Sequence, residues 1–254
     1  MSGSPRSPFG RVHSPLVWMP TYPIVHYCHH KVGTVWFVQV LQHMSRVTGV
    51  PFVRMTRRGW SASLSSNFYL DRHSQNRPSP TDTVRGSHMV RDPRDIVVSG
   101  YRYHLWSSEK WLHLPKPKWG GKTYQERLNE LPLEEGLAME ITRCSALFRA
   151  MREWDYNDDR ILEIRYEDVF GKDEKLWNDV MRHWGTQGQE LERGVEIGVF
   201  HSFANVKARG AARGEERKHL ASGKPLQWQE MFTPALTELI ESEAGDLITK
   251  LGYR

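Results

Sequence analysis

The sequence predicts an α/β fold of three layers, a central parallel sheet covered by helices on both faces. Three observations lead there. Short apolar runs alternate with stretches of helical periodicity, which favours parallel strands joined by helical crossovers. The 254 residues, 39% of them hydrophobic, are enough to bury a large α/β core. Two of the apolar runs end in polar turns that lead straight into helical patterns, at 29–36 and 91–101. Such turns lie at the carboxyl ends of strands, where open parallel sheets bind their ligands.

Residues 1–15 hold four Ser, three Pro and two Gly and are expected to be disordered, leaving residues 16–254 as a single domain without repeat or linker. Residues 22–28 are a strand candidate. Phe37, Val40, Leu41, Met44 and Val47 then recur at helical spacing, and Gly49 and Pro51 end that helix. Residues 57–85, rich in Ser, Asn, Arg and Pro, are expected to form a long loop. A strand follows at 86–90 and ends at Arg91. Residues 107–123 are expected to be irregular. Leu137, Ile141, Cys144, Phe148 and Met151 form an apolar helical stripe, and 161–164 is a third strand. Residues 205–228 read as a mobile loop. Leu236, Leu239, Ile240, Leu247, Ile248 and Leu251 mark one final helix after Pro234, with Gly252 just past its end.

The net charge of +5 and pI near 9.2 point to an anionic ligand or a basic cleft. Cys28 and Cys144 are the only cysteines; their spacing fits neither a metal site nor a disulfide framework. The N-terminus has no apolar signal region, and there is no run of 18 apolar residues. The expectation is a cytoplasmic protein with neither membrane nor nucleic acid as a partner. Its oligomeric state stays open.

The turn His29-His30-Lys31-Val32-Gly33-Thr34-Val35-Trp36 opens a helix, where backbone N–H groups and the helix dipole favour an oxyanion. The second turn, Arg91-Asp92-Pro93-Arg94-Asp95, adds a guanidinium, with a hydroxyl eight residues later at Ser99. Together they suit a ligand with phosphate-like groups at both ends.

This pair resembles the nucleotide-binding signature of sulfotransferases that use 3′-phosphoadenosine 5′-phosphosulfate (PAPS) and release the bisphosphate (PAP). Lys31 to Trp36 overlays the usual Pro-Lys-Ser-Gly-Thr-Thr-Trp, and Arg91, Pro93, Asp95 and Ser99 fit the second motif. Tyr166-Glu167-Asp168, Ser202-Phe203 and the stretch 219–233 resemble three further motifs in the family's order. The resemblance implies a P-loop-like phosphosulfate-binding loop and an enzyme that moves a sulfuryl group to a hydroxyl or amine without a metal. Lys31, Gly33, Thr34, Val35 and Trp36 would hold the 5′ end. Arg91 and Ser99 would clamp the 3′-phosphate, with the loop around Gly223 completing that clamp; Arg209, Arg213, Arg217 and Lys218 lie close enough in sequence to supply its cation. Trp36, Tyr166 and Phe203 would surround the adenine. Lys31 and Ser99 would stand at the reacting centre and His73 would be the base. Asp71, Asp82 and His88 are alternatives of similar reach, while His29, His30 and His104 read as structural.

The chain departs from the pattern at Val32 and Val35, where Ser and Thr are usual, and at Ala221, where the family has an Arg. Two other readings therefore stay beside the first. One is an inactive or weakly active relative that binds an anion or nucleotide; the other is a P-loop-type phosphotransferase. The acceptor, a small molecule or glycan, is not legible. Its pocket is expected in the segments at 57–85 and 105–123.

Overall fold

The computed structural model describes residues 18–55, 64–211 and 223–253, with side chains throughout except at 210 and 211. The expectations for residues 1–15, Arg213, Arg217, Lys218 and Ala221 lie outside the described residues. The elements run β1 (Ile24–Tyr27), α1 (Thr34–Thr48), β2 (Phe52–Arg54), β3 (Phe68–Asp71), β4 (Arg85–Val90), α2 (Pro93–His104), α3 (Tyr124–Glu130), α4 (Leu133–Arg152), β5 (Ile161–Arg165), α5 (Tyr166–Val169), α6 (Asp173–His183), α7 (Gly188–Phe200), α8 (Phe203–Ala211), α9 (Pro234–Ala244) and α10 (Leu247–Lys250).

The strands form one all-parallel, five-stranded sheet in the order β2-β3-β1-β4-β5, flanked by helices. Every residue of β1 is buried, as a strand between two parallel neighbours must be. Its side chains alternate between two cores. Ile24 joins the main cluster with Phe37, Leu41 and Met44 of α1, whereas Val25 and Tyr27 join a smaller one with Tyr69, Trp154 and Ile161. Register places Tyr27 beside Asp71 of β3 on one side and His88 of β4 on the other. The carboxyl ends of the three strands are therefore neighbours.

The helix after the first turn and the stripe of α4 fall where the periodicity put them. Gly49 ends α1 in the left-handed region at φ 75° and returns its N–H to Ser45. Four expectations are corrected. The segment 57–85 contains β3, whose four residues are too few to show a period and are buried by pairing on both edges. The segment 107–123 holds two short 3-10 turns, at Lys110–His113 and Pro117–Trp119. The start of 205–228 is the helix α8. The single final helix is two, because Gly245 (φ 59°, ψ −130°) breaks it between α9 and α10. Among the described residues no helix is long and apolar enough to cross a membrane.

The largest close approach joins α6 to α7. Gly198 lies against the fully buried Trp177, and a Cβ there would overlap the indole. Gly198→Ala gains helix propensity of about 1 kcal/mol, but overpacking a rigid ring costs about 1–3 kcal/mol. A net loss of stability in a denaturant titration is the expected result.

Candidate active site at the carboxyl ends of the strands

Four of the candidate residues sit just past the ends of four neighbouring strands. His73 lies two residues after β3, Lys31 four after β1, Arg91 directly after β4 and Tyr166 directly after β5. The sequence separates these residues widely; the parallel register gathers them on one edge of the sheet.

The loop after β1 folds on itself. The Val32 N–H donates to the His29 carbonyl at 3.1 Å, with Lys31 (φ 64°) and Gly33 (φ 68°) both left-handed. Alternating helical and left-handed residues turn successive N–H groups inward, the geometry of an anion nest. A lysine at positive φ costs about 1–3 kcal/mol unless the surroundings impose it. Gly33 is required twice, by its φ and because a Cβ would lie 2.8 Å from Met89 Sδ. Gly33 gives α1 no side-chain cap and its first turn holds no acidic residue. Among the described residues, the N–H groups of Gly33, Thr34, Val35 and Trp36 have no partner. The Thr34 hydroxyl donates to the His29 carbonyl at 3.2 Å and lies 3.2 Å from Cys28 Sγ. Val35 is 68% exposed and brings only its N–H to the loop. The Lys31 ammonium stands 3.8 Å from the centre of the Tyr103 ring, and burial together with Arg91's charge pushes it down to about 8.

Arg91 is buried. Its guanidinium lies 4.7 Å from the centre of the Tyr166 ring, 3.7 Å from Asp95 and 3.4 Å from the Lys224 carbonyl, which accepts from Nη2. Its Nε is buried and has no partner among the described residues. Such a donor is costly to leave unpaired, so the position fits an absent anion. Ser99 is half-buried in the second turn of α2. Asp92 caps α2, accepting from the Arg94 N–H at 2.9 Å.

Asp95 has a different task that the motif did not reveal. It is fully buried and accepts from the N–H groups of Leu226 (2.7 Å) and Trp228 (3.1 Å), tying the 223–230 loop to the start of α2. Arg94 stacks 3.8 Å from the centre of the Trp228 ring on the same contact. Asp95→Ala should free two amides and loosen the loop by about 1–3 kcal/mol. Faster hydrogen exchange at Leu226 and Trp228 is the measurable consequence.

Gly223 lies over Phe203, where a Cβ would come within 3.0 Å of the ring, and its carbonyl accepts from the Tyr166 hydroxyl at 2.6 Å. Tyr166, Phe170 and Phe203 form an aromatic row at this end, with centroids 5.8 and 6.4 Å apart. Trp36 stands edge-on to Trp177, and its buried Nε1 has no partner among the described residues. Phe170 was absent from the sequence motifs, and only its position four residues after Tyr166 could have signalled it.

His73 is exposed at the site's rim, and its N–H donates to Asp71 Oδ1 at 3.1 Å. A charge on His73 bears on both His29 and His30. The alternative bases fare differently. Asp71 is occupied, its other oxygen accepting from the Asn76 N–H at 2.6 Å and from Nδ2 at 3.0 Å. Asp82 closes a turn with Ser79 before the start of β4, at the amino end of the sheet. His88 is fully buried inside β4, 2.7 Å from Glu163 and 3.0 Å from His29. Burial lowers His88 to about 3 and raises Glu163 to about 8, which favours the uncharged form of each. Of the three histidines read as structural, His30 and His104 are joined to each other and to the buried carboxylate of Glu140.

No curated protein matches the chain by sequence. Among solved structures, retinol dehydratase in a complex with retinol and PAP is similar at a TM-score of 0.59, with 15% identity over 94% of this chain and 84% of that one. The same protein with androsterone and inactive cofactor PAP gives 0.56, with the same identity and coverages. A mouse sulfotransferase complexed with PAP gives 0.57, with 15% identity over 90% and 85% of the two chains. At this identity the likeness shows the shared fold. The family model described as "Sulfotransferase domain" matches residues 83–252, which include Arg91, Ser99, Tyr166, Phe203 and Gly223 but begin after Lys31 and His73. More than half of the chain is covered by that match, and the chain belongs to the sulfotransferase domain family.

Proposed function

We propose that this sulfotransferase takes its sulfuryl group from PAPS and gives it to a hydroxyl or amine of a small-molecule or glycan acceptor. The observation that carries this reading is the pairing of two anion cradles on adjacent strands. Among the described residues, one has N–H groups without partners beside Lys31, and the other has a buried Arg91 whose Nε has none. A donor with a phosphate at one end and a phosphosulfate at the other matches both.

When bound, the donor supplies an activated sulfuryl group on a bisphosphate leaving group. The chain's residues bind, orient and neutralise. Gly33, Thr34, Val35 and Trp36 present backbone N–H groups to the 5′ end, and Lys31 swings from Tyr103 to offset the charge that develops as the bond breaks. Arg91 and Ser99 hold the 3′-phosphate, and Asp95 keeps the loop carrying Gly223 closed over it. Tyr166, Phe203 and Trp36 line the base. His73, at the rim, takes the acceptor's proton. The relatives' structures contain androsterone and retinol; a small hydroxylated acceptor is the first class to screen.

Transfer of radiolabelled sulfuryl from the donor to a panel of hydroxyl and amine acceptors tests the reading, with chelator present. Product that requires the 3′-phosphorylated donor supports it. No transfer, with nucleotide still bound, would leave the binding relative as the better description.

A further inference from the structure

The last turn of α2 carries an aromatic ring to Lys31. Tyr103 stands four residues after Ser99, so both fall on one face of the helix. The Tyr103 carbonyl accepts from the Ser107 N–H at 3.0 Å, which closes that end of the helix. Its ring is half-buried, and the Lys31 ammonium lies 3.8 Å from the ring centre, well inside the reach of a cation–π contact. The ring is itself held. Its hydroxyl donates to Glu109 Oε1 at 3.1 Å, and the other Glu109 oxygen accepts from Trp111 Nε1 at 2.6 Å. Trp106 stands edge-on to the same ring, with centroids 5.3 Å apart.

Lys31 sits where its charge is disfavoured. Burial comes first, then the charge of Arg91, with Arg143 adding to it; Glu109 and Glu140 act the other way, and the balance pushes the ammonium down to about 8. His30, next in the chain, is pushed down to about 2 by burial and brings no charge of its own at neutral pH. Burial raises the Tyr103 hydroxyl, so the ring stays a neutral phenol. Among the described residues Lys31 makes no ion pair, and the ring is the group in contact with its ammonium. A π face attracts the cation and not the neutral amine, so the contact strengthens the hold of Lys31 on its proton.

We propose that Tyr103 is a positioning residue for sulfuryl transfer, its ring holding the Lys31 ammonium charged and beside the nest until the donor takes it over. The inference rests on the reading in which Lys31 offsets the charge of the leaving group, and it extends that reading to the residue that keeps Lys31 ready. Tyr103 acts only through Lys31. The useful form of Lys31 is the charged one, present below its midpoint and lost above it. Removing the ring lowers that midpoint, so the active window loses its alkaline end and keeps its acid end.

Titration of Lys31 followed by NMR of its side-chain methylenes needs no donor and reads the contact directly. In the wild-type protein those protons should be shifted upfield by the ring current, with a midpoint of about 8. Tyr103→Leu should remove the upfield shift and lower the midpoint by about 0.5–1.5 pH units, the range that a cation–π contact supports. Tyr103→Phe keeps the ring and should keep the midpoint, whereas ring fluorines added to that phenylalanine drain the π face and should lower it stepwise. Kinetics then ties the contact to transfer. Relative to wild type, kcat/KM of Tyr103→Leu should fall by a further factor of about 3 to 20 between pH 6 and pH 9. The kcat ratio should change less, because Lys31 faces the donor in the loaded enzyme. A midpoint unmoved in Tyr103→Leu, or a loss of kcat/KM equal at every pH, overturns the proposal. If Tyr103→Leu does not fold, the fluorinated series, which preserves the packing, decides. Failure of the wild type to bind adenosine 3′,5′-bisphosphate would overturn the donor reading and this proposal together, a result distinct from an unmoved midpoint in a protein that does bind.

Discussion

Lys31→Ala is expected to lower kcat about 10²–10³-fold, the range for removing one preorganised stabiliser of transition-state charge. Affinity for adenosine 3′,5′-bisphosphate should fall much less, because the nest of N–H groups and the Arg91 cradle remain. The split follows from placement. Lys31 is four residues past β1, beside the nest, and its ammonium rests on Tyr103. Lys31→Arg should not recover the rate, since a planar guanidinium cannot replace a compact ammonium on a short loop. A pH effect accompanies it. The free protein's Lys31 is lowered to about 8 by burial, and the charged form is the one that neutralises the leaving group. The contribution is therefore present below that value and lost above it. kcat/KM, which reports the free enzyme, should fall on the alkaline side near pH 8, and Lys31→Ala should abolish that limb.

Arg91→Ala carries the second large effect. The proposed reader of the 3′-phosphate, with Ser99, is a buried guanidinium whose Nε has no partner among the described residues, beside the aromatic row that ends at Gly223. Its removal should cost about 2–5 kcal/mol of binding to the bisphosphate, the range for truncating one partner of a buried charge pair. AMP, which lacks the 3′-phosphate, should lose little. Calorimetric titration of both nucleotides against both proteins checks this, the expected result being loss of preference and not a uniform loss of affinity. Arg91→Lys keeps the charge but not the fork and should recover only part of it.

How far the sequence could be read depended on length and locality. The fifteen residues of α1 and the twenty of α4 showed their periods and fell in place. The helices α6 and α7 went unread, although Leu176, Trp177, Val180 and Met181 are spaced for a helix; their small apolar fraction hid the stripe. β3 could not be seen, since a strand of four residues has no period to count, and yet it carries His73 to the site. The loops at 29–36 and 91–101 were legible because backbone requirements leave local marks, a Gly at positive φ and an Asp at a helix cap. What joins distant positions left no such mark. Asp95 holding Leu226 and Trp228, and His30 reaching Glu140 through His104, are products of tertiary packing between elements far apart in the chain.

The most direct test of the central claim, a site that reads phosphate-like groups at both ends of one nucleotide, is thermal unfolding of the wild-type protein with adenosine 3′,5′-bisphosphate, AMP and ATP in turn. A ligand at 100 times its dissociation constant stabilises the native state by about 2.7 kcal/mol, which raises Tm by several degrees at this chain length. The bisphosphate should produce that rise at concentrations where AMP and ATP produce none. Equal shifts from all three nucleotides, or none from the bisphosphate, would contradict the two-cradle account.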